Sequence, residues 1–245
     1  QPMANAGFQD KSMKVIESFD ELFKDKTVDG VILIGTIITK RHTEIISQYK
    51  KPFVLLAQKM TGASCVYFDD HKAAYLAAQC LADRGCSKIA CLGVTVKDRA
   101  AGVSRYEGFE AALRENGIII DKKIRVESGF TYEEAYKAAT ELINKNYRFD
   151  GVFCATDTIA IALIKALNES GIKVPDDVKV VGIGDSIVSS YYTPSVTTVH
   201  LFYRTAGEEA CKMLIEILEN DDKKIVKNNL IGCELIERES TCSAK

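Results

Sequence analysis

The chain has 245 residues, 47% of them hydrophobic and 27% charged, with a formal net charge of −2. This is ordinary globular composition, enough for one large domain or two lobes, and the charge balance gives the chain by itself no electrostatic reason to hold DNA or an anionic membrane. No apolar run reaches the ~18 residues of a membrane span, and the opening QPMANAGFQDKSMK lacks the basic-then-apolar pattern of a signal peptide.

In chain order, Met13, Ile16, Phe19, Leu22 and Phe23 fall at helical spacing, which predicts an amphipathic helix over 12–24. VDGVILIGT (28–36) carries an unbroken run of Val, Ile and Leu, the pattern of a strand buried on both faces of a parallel sheet. A short helix is expected over 42–49, strands over 51–58 and 64–70, and an Ala-rich helix over 71–86 closed by Gly85. SKIACLGV (87–94) is a further buried strand. A polar loop follows, then a helix that stops at Asn116-Gly117, then a strand over 123–129. The helix predicted over 131–146 opens on Thr131 with Glu134 three residues on, the spacing of a capping box. From Asp150 to Arg204 the chain reads as strand, small polar turn, helix, a Gly-Ile-Lys-Val-Pro break, strand, polar loop and a third short strand. A helix over 206–220, a polar link over 221–229 and a strand over 230–242 complete it. Strands and helices alternate throughout, so the expected class is α/β: parallel sheets covered by helices, in two doubly wound lobes divided near 93–98. Ligands of such lobes sit beyond the carboxyl ends of the strands, here after Ile34, Leu56, Val94, Cys154 and Ile183.

The cysteines (Cys65, Cys80, Cys86, Cys91, Cys154, Cys211, Cys233, Cys242) form no C-x-x-C pair, and several sit among Ala, Leu and Ile. They read as small core residues of a reducing compartment, which favours the cytoplasm over the periplasm. His42, His71 and His200 are scattered, and no zinc, P-loop, dinucleotide or nucleophile-elbow motif is present. Gly182-Ile183-Gly184 lacks the third glycine of a dinucleotide site, and Asp69-Asp70 reads as a helix N-cap and its neighbour rather than a metal-binding or catalytic pair. Binding without catalysis, metal or cofactor is the expectation.

Several ordered segments carry a family resemblance: VDGVILIG, FDDHKAAYLAAQCLADRGCSKIACLG, SRYEGFEAAL, the run from Gly151 to Ser186, and TPSVTTVH. Together they resemble the effector-binding domain of the lactose-repressor (LacI/GalR) family of bacterial transcription regulators, and the likeness spans about Val28 to the C-terminus. It implies a periplasmic-binding-protein-like fold of type I, with residues 1–94 plus about 201–227 in one lobe and 95–200 plus about 228–245 in the other. Measured against that pattern, the first strand–helix unit and the helix-turn-helix DNA-binding head are missing. The resemblance further implies a sugar effector (a disaccharide, of sucrose or trehalose type, or a sugar phosphate), a homodimer with contacts from helix 206–220 and the C-terminal lobe, and operator DNA bound through the missing head. The alternative is a periplasmic sugar-binding receptor of the same fold. An enzyme acting on sugars is a third reading.

Site residues follow from the same alignment of motifs. Arg105 stands at the arginine of R-x-x-G-F, where a guanidinium fork donates to sugar oxygens or a phosphate. Phe130 and Tyr203 stand at aromatics that pack on sugar, Thr156 at a frequent ligand-binding Asn, and Gln58 at a polar residue ending a strand. Asp157 either bonds the ligand or caps the next helix. Lys72 faces a phosphate or water. The usual Val-Gly-aromatic-Asp is here Gly182-Ile183-Gly184-Asp185, so Asp185 comes one residue after the sugar-gripping position.

Overall fold

The computed structural model describes residues 17–35, 37–145, 147–219 and 226–242. The chain divides into two compact units: 1–67 with 203–230, and 68–202 with 231–245.

Unit 1 holds a helix described over residues 17–24 (α1), then β1 (Val31–Ile34), α2 (Lys40–Tyr49), β2 (Phe53–Leu56), β3 (Ser64–Phe68) and, from the second passage, α8 (Tyr203–Glu219) and β9 (Asn228–Ile231). Residues 12–16 of the first predicted helix and most of the predicted link over 221–229 lie outside the described residues. β1, β2 and β3 are parallel, with Val31 opposite Phe53 and Val54 opposite Ser64, and the sheet order is β1-β2-β3-β9. Phe19 and Phe23 of α1 stack at 4.7 Å and close a core with Val31, Leu33, Ile45 and Leu55. The unbroken apolar runs of β1 and β2 fit this: residues of α1 and α2 share their core while α8 also packs on them.

Unit 2 holds α3 (Asp70–Asp83), β4 (Ile89–Val94), α4 (Arg105–Glu115), β5 (Arg125–Ser128), α5 (Tyr132–Asn144), β6 (Gly151–Cys154), α6 (Asp157–Glu169), β7 (Lys179–Ile183), α7 (Ile187–Tyr191), β8 (Thr197–His200) and β10 (Glu234–Ile236). Its six strands lie in the order β10-β8-β7-β6-β4-β5, all parallel except β10, which runs antiparallel to β8. The capping box read at Thr131 is present: its hydroxyl accepts from Glu134 N while the Glu134 carboxylate accepts from Thr131 N. Gly85, at φ +80, follows α3 as the helix-ending glycine that its position predicts.

The predicted lobe boundary is corrected. β4 hydrogen-bonds both β5 and β6, and α3 packs against α4, so residues 68–94 belong to unit 2 and the chain leaves unit 1 at the end of β3. The strand–helix rhythm has no interruption at that point, which is why periodicity put the boundary one strand–helix unit late. The strand predicted over 230–242 is also divided. Its first part is the end of β9, its middle is β10 in the other sheet, and Glu237 onward forms no strand. α7 replaces part of the polar loop expected after β7.

Candidate functional site

β4 sits between β5 and β6, so successive crossovers run to opposite sides of it and the strand order reverses there. In a parallel sheet such a switch point opens a crevice at the carboxyl ends of the strands. The loop after β4 enters this crevice. Asp98 starts it by accepting from Ala100 N and Ala101 N, both at 2.9 Å, and a π-helical turn over Arg99–Ser104 passes straight into α4 at Arg105. Arg105 is buried. Its Nε donates to Asp70 Oδ1 at 2.7 Å and its Nη1 to the Ala155 carbonyl at 2.5 Å. Nη2 has no protein partner among the described residues and is not sealed from solvent. Two local features hold this placement. Asp69 caps α3 by accepting from Lys72 N, which leaves Asp70 turned to the arginine. Gly108, one turn beyond Arg105, lets α4 descend onto α3: a Cβ there would lie 2.0 Å from the His71 carbonyl oxygen. Burial pushes the Asp70 carboxyl above its ordinary range, against the opposing pull of Arg105.

After β6 the expected roles change. Thr156 is the N-cap of α6, its hydroxyl accepting from Ile159 N. Asp157 is therefore not the cap. It is buried, and its two oxygens accept from Ser186 N at 2.6 Å and Thr198 Oγ1 at 2.5 Å, which ties the ends of β6, β7 and β8 together. Gly182 makes room for that carboxylate, since a Cβ would stand 2.5 Å from Asp157 Oδ1.

Asp185 follows β7 in the left-handed region at φ +52, with its backbone N–H on Thr198 Oγ1. Its Oδ1 accepts from Arg238 Nη2 at 2.5 Å and its Oδ2 from His200 Nδ1 at 2.9 Å. Burial pushes this carboxyl up, but the hydrogen bonds and charges of Arg238 and His200 outweigh it and hold the group below its ordinary value. Both oxygens that were expected to reach a ligand are thus committed within the protein. Phe130 is exposed just past β5, at the same carboxyl end of the sheet.

Of the predicted site residues, the structure brings Arg105, Phe130, Thr156, Asp157 and Asp185 to the carboxyl rim of the unit 2 sheet. Gln58 and Tyr203 belong to unit 1, the first buried after β2 and the second half-exposed at the start of α8. Sequence reasoning missed Arg238, His200 and Thr198 and read Asp70 only as the neighbour of a helix N-cap, without its ion pair to Arg105. Among the described residues no group of His, Cys, Asp and Glu is arranged to hold a metal ion.

The family model of the periplasmic binding protein-like domain matches residues 78–241. The HTH-type transcriptional repressor PurR of Vibrio atlanticus is 32% identical over 204 residues, 82% of this chain and 61% of that protein. The HTH-type transcriptional regulator RegA of Clostridium saccharobutylicum is 33% identical over 222 residues, 90% of this chain and 67% of that protein. The chain belongs to the LacI/GalR family, as its periplasmic-binding-protein-like effector domain. It spans about three fifths of the length of the PurR relative. Solved family structures agree in fold. The CelR–cellobiose complex matches with a TM-score of 0.86 at 27% identity, over 92% of this chain and 69% of that one. A LacI family regulator of Enterococcus faecium with bound ribose matches at 0.82 and 26%, over 94% and 85%. The regulator CcpA of Lactococcus lactis matches at 0.85 and 26%, over 97% and 86%. These relatives are named as regulators, which favours that reading over the receptor and enzyme alternatives.

Proposed function

We propose that this chain binds a sugar beyond the carboxyl ends of the unit 2 strands, and that in the whole protein this binding controls an operator-binding helix-turn-helix head. The carrying observation is Arg105: a guanidinium fixed at the switch point by Asp70 and Ala155, with one nitrogen left to donate. Cellobiose and ribose in related structures support the sugar class. A neutral sugar is favoured over a sugar phosphate because Asp70 already balances the charge of Arg105. A ligand of this kind shifts the regulator only by its differential affinity for two arrangements of the protein. The cytoplasm is the location that goes with this role.

The test is thermal melting with ribose, cellobiose, sucrose and trehalose, each beside its 6-phosphate where one exists. A neutral sugar should raise the melting temperature of the wild type. Arg105→Lys keeps the charge, loses the fork, and should lose most of that rise; an undiminished rise overturns the assignment.

Homodimerisation is proposed on α7, whose Ile187, Val188 and Tyr191 are 78%, 60% and 84% exposed, an apolar face unusual for a short surface helix. Sedimentation should give a dimer for the wild type and a monomer for Ile187→Asp with Tyr191→Asp. A wild-type monomer overturns it.

A further inference from the structure

His200 is the last residue of β8, on the same carboxyl rim as Asp185. Its ring is fixed on two sides. Nδ1 lies 2.9 Å from Asp185 Oδ2, and the ring packs edge-on against Phe202 with centroids 4.6 Å apart. Asp185 is in turn fixed by Arg238, which itself donates through Nη1 to the Val196 carbonyl at 2.9 Å. Asp185 also sits in a left-handed conformation held by Thr198. This chain of contacts runs from the segment after β10 to the end of β8, and its outward end is the imidazole. Nε2 has no protein partner among the described residues and is not buried.

Where the imidazole is neutral, a carboxylate, which can only accept, requires the proton on Nδ1 and leaves Nε2 presenting a lone pair. A ring nitrogen with its tautomer and direction set by a second residue is a positioned acceptor, not a solvated side chain. We propose that His200 is a specificity-determining contact of the effector site: Asp185, locked by Arg238, holds the Nδ1–H tautomer, and Nε2 accepts a hydrogen bond from an effector hydroxyl. In this arrangement Asp185 acts on the ligand through His200 as a positioning residue, which accounts for both its oxygens being engaged within the protein. The inference rests on the proposed effector reading, and favours polyhydroxyl ligands over ligands that offer only acceptors.

The tautomer is read first, by nitrogen-15 NMR of the imidazole rings at about pH 8, above the range in which histidines ordinarily titrate. The three histidines are separated by comparison with His200→Gln. His200 should show a protonated Nδ1 and an unprotonated Nε2. In Asp185→Asn the single amide oxygen stays with Arg238 and the amide NH2 faces the ring, so the tautomer should invert. An Nε2–H tautomer in the wild type, or no change in Asp185→Asn, overturns the lock. Binding is read by calorimetry with ribose, cellobiose, sucrose and trehalose. His200→Ala should weaken the sugar that binds about tenfold, the scale of one hydrogen bond to an oriented acceptor. His200→Gln, whose amide oxygen falls near Nε2, should recover most of that loss. If the wild type binds and His200→Ala binds equally well, this proposal alone fails. If the wild type binds none of these sugars, it fails together with the sugar reading on which it rests.

Discussion

Two aspartates of unit 2 make an instructive pair. Asp70 and Asp185 each accept from an arginine, at 2.7 Å and 2.5 Å, yet their carboxyls are displaced in opposite directions. Asp70 lies deep at the switch point, where burial dominates and raises it. Asp185 lies at the carboxyl rim of the sheet with a second donor in His200, and the donors dominate and lower it. The difference is one of depth and of donor count, not of partner type. It teaches that the switch-point pair is a structural commitment made at a cost, whereas the rim cluster is a net source of stability.

The largest effect that would break this contrast is at Arg105. Arg105→Ala strands a buried carboxylate and should cost about 3–5 kcal/mol in urea unfolding. Arg105→Met combined with Asp70→Leu should recover most of the loss while leaving the protein unresponsive to sugar. A single mutant that melts like the wild type would refute the buried pair. Asp185→Asn removes charge-assisted bonds and should cost about 1.5–3 kcal/mol at neutral pH. The sign with pH follows from the lowered value. The contribution of ionised Asp185 is complete above about pH 4, the ordinary aspartate range, and is lost as pH falls through its lower folded value. The gap between wild type and Asp185→Asn should therefore close in acid, measured by unfolding from about pH 7 down to pH 2. Asp70 has the opposite sign, since its raised value makes ionisation a cost that grows with pH. Gly108→Ala should cost about 1–3 kcal/mol by overpacking α4 on the His71 carbonyl, and should blunt the sugar response by displacing Arg105. The smallest effect is at Thr131→Ala, about 1 kcal/mol for a lost helix cap; a larger loss in calorimetric melting would show that α5 bears on the site.

That last position was readable from local spacing, as were the apolar strands and the helix at Arg105, because each signal lies within a few residues; Arg105 itself was singled out by the R-x-x-G-F resemblance. The partners were not. Asp70 and Arg105 are 35 residues apart, and Arg238 and Asp185 are 53 apart, so only the sheet order brings them together. Asp157 illustrates the same limit. Its neighbours in sequence suggest a cap or a ligand contact, and only the register of β7 and β8 beside β6 shows the two donors that claim it. The division of the final segment between two sheets was hidden for a simpler reason: Gly232 and Cys233 interrupt an apolar run without any turn signal strong enough to read.

The chain's path also sets an order of events in time. Unit 2 is contained mostly in one continuous stretch, 68–202, whereas unit 1 needs residues 203–230 to be complete. Cys65 N bonds the Lys227 carbonyl at 2.9 Å, and Lys227 N reaches Ser64 Oγ across 163 residues of sequence. Such non-local pairing is slow to close. During synthesis the early strands β1 to β3 therefore emerge first and β3 waits for residues 228–231, while unit 2 has its long stretch 68–202 and lacks only its closing segment 231–245. The newborn protein passes through a stage in which the edge of β3 is open, the interval of greatest exposure to aggregation and to chaperones.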